Sequence, residues 1–322
     1  MPQTLPIRDP ATGSSAEILV SQGFNCFRFT VMPGGTGVSP VSSGKPLEVL
    51  YAPADFATGQ SRPSRGGIPL MFPFPGRIPG TKLTWRRKKY TLEAGDALGN
   101  AIHGFVMSRP WRIIDQADNQ LSGEFHAWRD DPSLKERWPA DFKLTAVYTI
   151  LGNTLHGHYT LENPSDTPLP CGFGTHPYFR VPLGGGKTDD CIVRLPVRER
   201  WELKDMLPTG RRIKLKHADV FQAGQRYGDL KLDDVCTGLE FNGEWCESSI
   251  HDPASGRTIT QRFDHSFREC VVYTPPHREA ICIEPLTCAP NSFELARQKI
   301  DAGLRTLAPG ESFTARVEIS VT

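Results

Sequence analysis

Phe142-Lys-Leu144-Thr-Ala146-Val-Tyr148-Thr-Ile150-Leu-Gly152-Asn153-Thr-Leu155-His-Gly157-His-Tyr159-Thr-Leu161-Glu162 decides the fold class. Apolar or small residues fall on every second position from Phe142 to Ile150. The same alternation resumes at Leu155 and runs to Leu161, with Gly152-Asn153 between the two runs. A two-residue break containing Gly and Asn between runs of period two predicts an antiparallel hairpin with one buried face. His156 and His158 share the other face with Thr160 and Glu162. Two imidazoles on a strand would need a third ligand to hold zinc, and no nearby residue supplies one, so this face reads as solvated. The pattern recurs at Phe313, Ala315, Val317, Ile319 and Val321 after the turn Pro309-Gly310, and at Phe27, Phe29 and Val31. Further short strands are expected near 16–20, 48–52, 110–116, 121–127, 191–195 and 270–273. Helix signals are confined to Ser133–Arg137 and to Phe293–Ala302, the latter with Asn291 or Ser292 as N-cap and Gly303 past its end. Strand after strand with little helix predicts an all-β chain, sandwich or barrel. No break in composition and no repeat divides it, so 1–322 reads as a single domain.

With 37 basic and 36 acidic residues, the formal charge of +1 carries no nucleic-acid footprint and no draw toward an acidic membrane. The basic run Arg86-Arg-Lys-Lys89 between Trp85 and Tyr90 reads as a solvated hairpin tip. The first residues have no apolar core of signal-peptide length, and no run is long enough to span a bilayer. Eight scattered cysteines without Cys-x-x-Cys argue against a zinc ribbon or a redox motif. The expectation is a cytoplasmic chain with reduced thiols, monomeric or a homodimer. Gly184-Gly-Gly-Lys187-Thr188 resembles the end of a phosphate-binding loop, but Val181 stands where that pattern needs glycine, so it reads as a turn.

Two segments about a hundred residues apart carry the chemistry: Cys171-Gly-Phe-Gly-Thr-His176-Pro-Tyr-Phe-Arg180 and Ile281-Cys-Ile-Glu284-Pro-Leu-Thr-Cys-Ala-Pro-Asn291. Each sets one titratable group among apolar residues punctuated by Gly and Pro. A carboxylate in such surroundings is costly unless paired, and a carboxylate meeting an imidazole makes a general acid and base without a metal. Upstream, Arg77 ends the proline-stiffened run Gly67-Ile-Pro-Leu-Met-Phe-Pro-Phe-Pro-Gly76, while Arg62 and Arg65 read as ordinary surface arginines. His103 precedes Gly104 and Phe105. Phe74, Tyr178 and Trp245 are candidate exposed aromatics, which a binding protein without turnover could use as stacking surfaces.

In order, Gly67-Ile-Pro-Leu-Met-Phe-Pro with Pro75-Gly76-Arg77, Asn100-Ala-Ile-His103-Gly104-Phe105, Trp111, His176-Pro-Tyr-Phe179, Leu232-Asp233-Asp234-Val235, Glu284-Pro285 and Leu307-Ala-Pro-Gly310-Glu311 resemble the aldose 1-epimerase (galactose mutarotase) family from about residue 45 onward. The resemblance implies a large antiparallel β-sandwich with few short helices and a sugar cleft. It implies Glu284 as catalytic base, His176 as catalytic acid, and Arg77, His103 and Asp233 as sugar-binding residues, with Asp234 the neighbouring alternative to Asp233. It implies a monosaccharide substrate, no cofactor and no metal. The sequence departs from the family pattern where a fuller His-Gly-Gly stretch is shortened to His103-Gly104-Phe105, and where Ala-Asn does not follow Arg77.

Three other readings compete. A phosphohexose epimerase on the same scaffold would use Arg62, Arg65 and Arg77 to clamp a phosphate. A carbohydrate-binding protein without turnover would leave Glu284 and His176 without a role. A metal-dependent β-barrel enzyme would need a metal.

Overall fold

The structure is a computed structural model and describes residues 2–32 and 45–322. Alternation of apolar and polar residues builds two large antiparallel sheets. The first runs in space as Arg112–Ala117, Gln120–His126, Lys143–Leu151, Thr154–Glu162, Ser312–Val321, Arg257–Asp264, Trp245–Asp252, Ile192–Arg194 and Gln225–Arg226, with Phe241–Asn242 paired onto Trp245–Asp252. The second, called here the cleft sheet, runs as Leu207–Lys214, Val197–Lys204, Asp233–Leu239, Glu269–Tyr273, Ala280–Leu286, Gly174–Thr175 and Leu70–Met71. Tyr178–Arg180 also pairs with Ala280–Leu286. A four-stranded sheet, Thr4–Arg8, Ser15–Leu19, Asn25–Val31 and Leu47–Glu48, adds to these.

The hairpin at Gly152-Asn153 pairs Leu151 with Thr154 and Lys143 with Glu162. Leu144, Ala146, Tyr148, Ile150, Leu155, Tyr159 and Leu161 are all buried, as period two requires. Their partners come from the inner side of the cleft sheet and its approaches. Phe142 meets Phe72 edge-on at 4.9 Å, and Tyr159 lies 4.9 Å from Phe173. Gln261 crosses the sandwich and donates from Nε2 to the Ile283 carbonyl at 3.2 Å. Full burial of each such side chain contributes about 1.5–3 kcal/mol. On the opposite face, His156 pairs with Glu318 and His158 is exposed, as expected of a solvated face.

The helices are short: among the described residues, Ala127–Asp130, Ala218–Ala223 and Ser292–Arg297 are α-helical. The expected helix through Ala302 stops five residues early. Lys299 takes the left-handed conformation at φ 62°, which turns Ile300 back against Trp201 and Leu295. Gly303 is not its cap. It lies against the Thr287 carbonyl, where a Cβ would come within 2.6 Å. Pro132–Glu136 is a 3-10 turn, and the expected strand at 48–52 is reduced to Leu47–Glu48 with a single bridge from Leu50 to Phe179.

The glycine-rich segment is a turn folded around a carboxylate. Asp252 Oδ2 accepts from the backbone N–H of Leu183 at 3.0 Å and of Gly185 at 3.2 Å, and Oδ1 accepts from Ala254 N–H at 3.0 Å. The Leu183 and Gly185 N–H groups are thus already engaged by Asp252. Removing the acceptor strands buried donors, each costing about 1–3 kcal/mol. Asp252→Ala is expected to lower unfolding free energy by about 3 kcal/mol, and Asp252→Asn, which keeps one oxygen, by less. Urea denaturation monitored by tryptophan fluorescence measures both. Equal stability of Asp252→Ala and the parent would show that the turn does not rest on Asp252.

Candidate active site

Strand register brings His176 and Glu284 together. Gly174 pairs with Leu286 and Tyr178 with Cys282 across the same two antiparallel segments. In an antiparallel ladder the partner numbers sum to a constant, so the residue between Gly174 and Tyr178 must face the one between Leu286 and Cys282. Pro177 interrupts the ladder there, having no N–H to donate. His176 Nε2 lies 3.2 Å from Glu284 Oε1. Both are buried, at 6% and 3% exposure. Tyr178 stacks flat on the imidazole, centroids 4.9 Å apart and planes within 1°, and its hydroxyl donates to the Ser64 carbonyl. The ring is thus held in plane while its Nδ1 is buried without a partner, leaving Nε2 as the nitrogen that meets the cleft.

Arg77 and His103 come from a second pairing, Arg77–Ile78 against Ala101–Ile102. The Arg77 Nε donates to Asp96 Oδ2 at 2.8 Å. Asp96 is itself fixed by the backbone N–H groups of Leu98 and Asn100 and by the Asn100 side chain. His103 has φ 63°, a left-handed conformation uncommon outside Gly, in which His, Asn and Asp are the enriched exceptions. Its Nδ1 accepts from the Gly76 N–H at 3.2 Å, and its own N–H donates to the Gly76 carbonyl at 2.8 Å. An Nδ1 that accepts leaves the proton of a neutral imidazole on Nε2, as a donor. Gly76 has φ 66°, and a Cβ there would sit 2.5 Å from Pro290. The glycine lets the arginine loop close onto the Pro290 loop.

Asp233 and Asp234 lie on opposite faces of one strand. Asp233 lines the cleft at its exposed mouth, whereas Asp234 pairs with Arg200 at 2.7 Å. One cavity of about 190 Å³ is lined by Arg77, His103, His176, Asp233, Tyr273 and Glu284. Leu203, Met206, Val235, Val271 and Leu286 give it an apolar floor and far wall. A monosaccharide ring fits a cleft of this volume.

That apolar floor sets the electrostatics. Burial pushes His176 down to about 4. Burial also pushes Glu284 well above the carboxylate range, with the Asp233 charge adding and Arg77 opposing. Ordinary values lead to the opposite expectation, an ionised Glu284 beside a charged His176. Desolvation penalises both charges, so burial favours the uncharged pair with one proton held between them. His103 is held well below its usual value, by burial first and then by repulsion from a protonated His176 and from Arg77, with Asp96 opposing, which keeps it a neutral donor. Burial alone would raise Asp96, but its donors from Asn100, Arg77 and Leu98 bring it below its ordinary value.

All five residues expected in the site line this cavity. Arg62 and Arg65 do not line it and are exposed around the turn Pro63–Arg65, as expected of surface arginines. The expectation for exposed aromatics fails at Phe74 and Tyr178. Phe74 is buried against Trp138 and Phe105, and Tyr178 is buried under His176. Trp245 is half-buried beneath Arg316 and lies outside the cleft. Sequence reasoning missed Asp96, Tyr273, Met206 and Asn291. Asn291 is not a side-chain cap. Its Nδ2 donates to the Pro208 carbonyl and its backbone N–H to the Arg77 carbonyl. Among the described residues, His176, Cys282 and Glu284 form a group whose ligand atoms lie within 4.8 Å of one another, close enough to converge on a metal ion. Burial, then the Glu284 charge, raises the Cys282 thiol well above its ordinary value, so it carries its proton here.

Comparison with known proteins agrees with this architecture. The curated Escherichia coli (strain K12) protein YphB, itself uncharacterized, is 23% identical over 281 residues, which span 79% of this chain and 83% of that one. A galactose mutarotase-like protein from Clostridium acetobutylicum superimposes with a TM-score of 0.84 at 21% identity, over 98% of this chain and 95% of that one. Galactose 1-epimerase from Lactobacillus acidophilus NCFM gives 0.64 at 19% identity, over 100% and 99%. At such identities these likenesses speak to the fold. The family model for aldose 1-epimerase matches residues 31–320, nearly the whole chain, and the protein belongs to the aldose 1-epimerase family.

Proposed function

We propose that the cleft interconverts the α and β anomers of a free hexose by acid–base opening and closure of the ring. The reading rests above all on one observation: an imidazole and a carboxylate 3.2 Å apart, both buried, in a cavity of monosaccharide size. The sugar binds with its anomeric centre at this pair. In the charged form of the pair, Glu284 takes the proton of the C1 hydroxyl while His176 Nε2 gives its proton to the ring oxygen. The C1–O5 bond breaks and the open-chain aldehyde forms. Glu284 is then neutral and His176 is neutral. Rotation about C1–C2 presents the other face of the aldehyde. Closure returns a proton from Glu284 to the new C1 hydroxyl and one from the C5 hydroxyl to His176. No group leaves and no electrons are exchanged.

The burial that disfavours the ion pair favours the neutral pair, and the neutral pair accompanies the open-chain species. Desolvation therefore favours the open-chain intermediate, with its neutral pair, relative to the bound ring with its ion pair. Arg77, His103 through its Nε2–H, and Asp233 hold the ring hydroxyls and supply orientation. Charge favours a free sugar over a phosphorylated one. Among the described residues that line the cleft, Arg77 is the one guanidinium or ammonium, and its Nε is committed to Asp96.

Fresh α-glucose and α-galactose followed by polarimetry test the reading. Glu284→Gln and His176→Asn are each expected to lower kcat by roughly 10²–10⁴, while the same assay on glucose 6-phosphate stays near the uncatalysed rate. Near-parent kcat in Glu284→Gln would remove the base from the scheme.

The working pair carries one proton. It gains a second as pH falls through the depressed His176 value of about 4, and loses its last as pH rises through the elevated Glu284 value. The kcat/KM profile of the parent is therefore expected to have its acid limb near 4 and its alkaline limb above the ordinary carboxylate range. An acid limb near 6.5, the ordinary imidazole value, would contradict this ordering.

Asp96→Asn weakens a charge-assisted hydrogen bond worth about 1.5 kcal/mol. KM is expected to rise about tenfold with kcat little changed. A fall in kcat alone would place Arg77 in the chemical step instead.

A further inference from the structure

Cys282 stands beside the His176–Glu284 pair, and the proposed anomer exchange does not use it. It precedes Glu284 by two residues on one strand, so the two share a face. Its register partners are Tyr178 on one side and Tyr273 on the other. The thiol is free and the residue fully buried. A buried cysteine usually serves as packing. This one has two further ligand groups within reach of its sulfur. One ligand atom each from His176, Cys282 and Glu284 lie within 4.8 Å of one another, and among the described residues no other group of three or more His, Cys, Asp or Glu side chains converges in this way.

The spacing suits a small, soft dication. Bond lengths of about 2.0–2.3 Å at tetrahedral angles set ligand atoms roughly 3.3–3.6 Å apart. The 3.2 Å between His176 Nε2 and Glu284 Oε1 is already of that size. The sulfur has to approach by about 1 Å at most to complete the set, which a small side-chain rotation supplies. Charge is balanced as well. The cation displaces the proton shared by His176 and Glu284 and the proton of the Cys282 thiol. Two protons leave, and the thiolate and carboxylate that remain cancel the charge of the dication. A neutral assembly suits surroundings that penalise net charge. Asp233 acts on both Glu284 and Cys282, adding negative charge that draws a cation, while Arg77 opposes it at Glu284. A thiolate and an imidazole select zinc-like ions, whereas magnesium and calcium need six or more oxygen ligands.

We propose that His176, Cys282 and Glu284 form a binding site for one thiophilic divalent cation, of the zinc and cadmium class, and that this cation arrests the enzyme by occupying the two groups that pass protons. The cation is an inhibitor, and no step of the exchange runs through it. Once it is bound, His176 has no proton to give the ring oxygen and Glu284 has no free lone pair for the C1 hydroxyl. The inhibitory half of the proposal rests on the proposed anomer exchange. The binding half does not.

Cadmium chloride is the probe, with magnesium chloride as control, on the full chain under reducing conditions. Cadmium is expected to give the ultraviolet charge-transfer band of a metal–thiolate bond and to raise the melting temperature of the parent, since a ligand held by the folded state alone stabilises it. The same titration is expected to abolish polarimetric anomer exchange, with recovery on adding EDTA, while magnesium does neither. Cys282→Ala and Cys282→Ser each remove the thiolate, and Ser keeps the volume closer to that of Cys should Ala disturb the strand. In both, the cadmium concentration for half-saturation is expected to rise at least about 100-fold, since even the outer partners of metal ligands are worth 10–100-fold. Glu284→Gln, followed by band and melt alone, is expected to weaken cadmium binding as well. Equal cadmium affinity in the parent and both Cys282 variants overturns the site. Cadmium bound through Cys282 while exchange continues overturns the inhibition. Absence of turnover on every free aldose overturns the anomer exchange and the inhibition with it, and the band and the melt still decide the site.

Discussion

The contact between His176 and Glu284 constrains the rest of the molecule. A glutamate in a strand of seven buried residues is unfavourable by itself, and an imidazole at 6% exposure is little better. Held 3.2 Å apart, each offers the other a place for a proton. The cost is acceptable because the sandwich fixes the pairing from both sides. Gly174 with Leu286 and Tyr178 with Cys282 bracket the contact, so it cannot slip by one residue without turning Glu284 into the sandwich interior. Cys282, Glu284 and Leu286 share one face of the strand, and Ile283 and Pro285 the other. The sandwich packing that holds Ile283 under Gln261 also holds Glu284 in the cleft.

Around this rigid pair the backbone takes several unfavourable conformations. His103, Met206 and Asn291 have positive φ, as do Gly76 and Gly104, and all but Gly104 belong to the cleft or its immediate support. Strained residues persist only where surrounding contacts over-determine them. Here those contacts are specific: Gly76 N–H on His103 Nδ1, Asn291 N–H on the Arg77 carbonyl, and the Asn291 amide on the Pro208 carbonyl. Together they join the arginine loop, the histidine loop, the Pro290 loop and the far hairpin into one rim.

What could be read from the sequence follows from the range of each interaction. Period-two alternation is local, so the hairpin around Gly152-Asn153 and the C-terminal strand were legible residue by residue. His176 and Glu284 were legible because a titratable group among apolar neighbours is conspicuous in one dimension. Asp96 was not, since its partner Arg77 belongs to another strand and its own loop reads as an ordinary turn. Met206 was hidden because an apolar residue beside a charged one at a hairpin tip gives no sign of facing a cavity. Asn291 misled for a chemical reason: an amide before a helix caps it in many chains, yet the same group donates equally well to any carbonyl within reach. Phe74 and Tyr178 misled because an aromatic beside a candidate site can serve as a contact surface or as packing, and only tertiary neighbours distinguish these roles.

The apolar floor connects stability to chemistry. Val235, Val271 and Leu286 contribute no hydrogen bond to a sugar, yet their presence removes water from Glu284 and His176 and so moves both groups toward neutrality. A polar floor would relax those shifts and return the pair to a stable ion pair, from which ring opening would have to neutralise two well-solvated charges. Under the proposed anomer exchange, the same side chains would offer C–H surface to the C–H face of a pyranose, which carries no charge of its own. A neutral substrate, a pair that shares one proton and a dry floor are therefore mutually consistent. On the proposed reading, a phosphate on the sugar would meet, among the described residues that line the cleft, a single guanidinium, that of Arg77, already bound to Asp96.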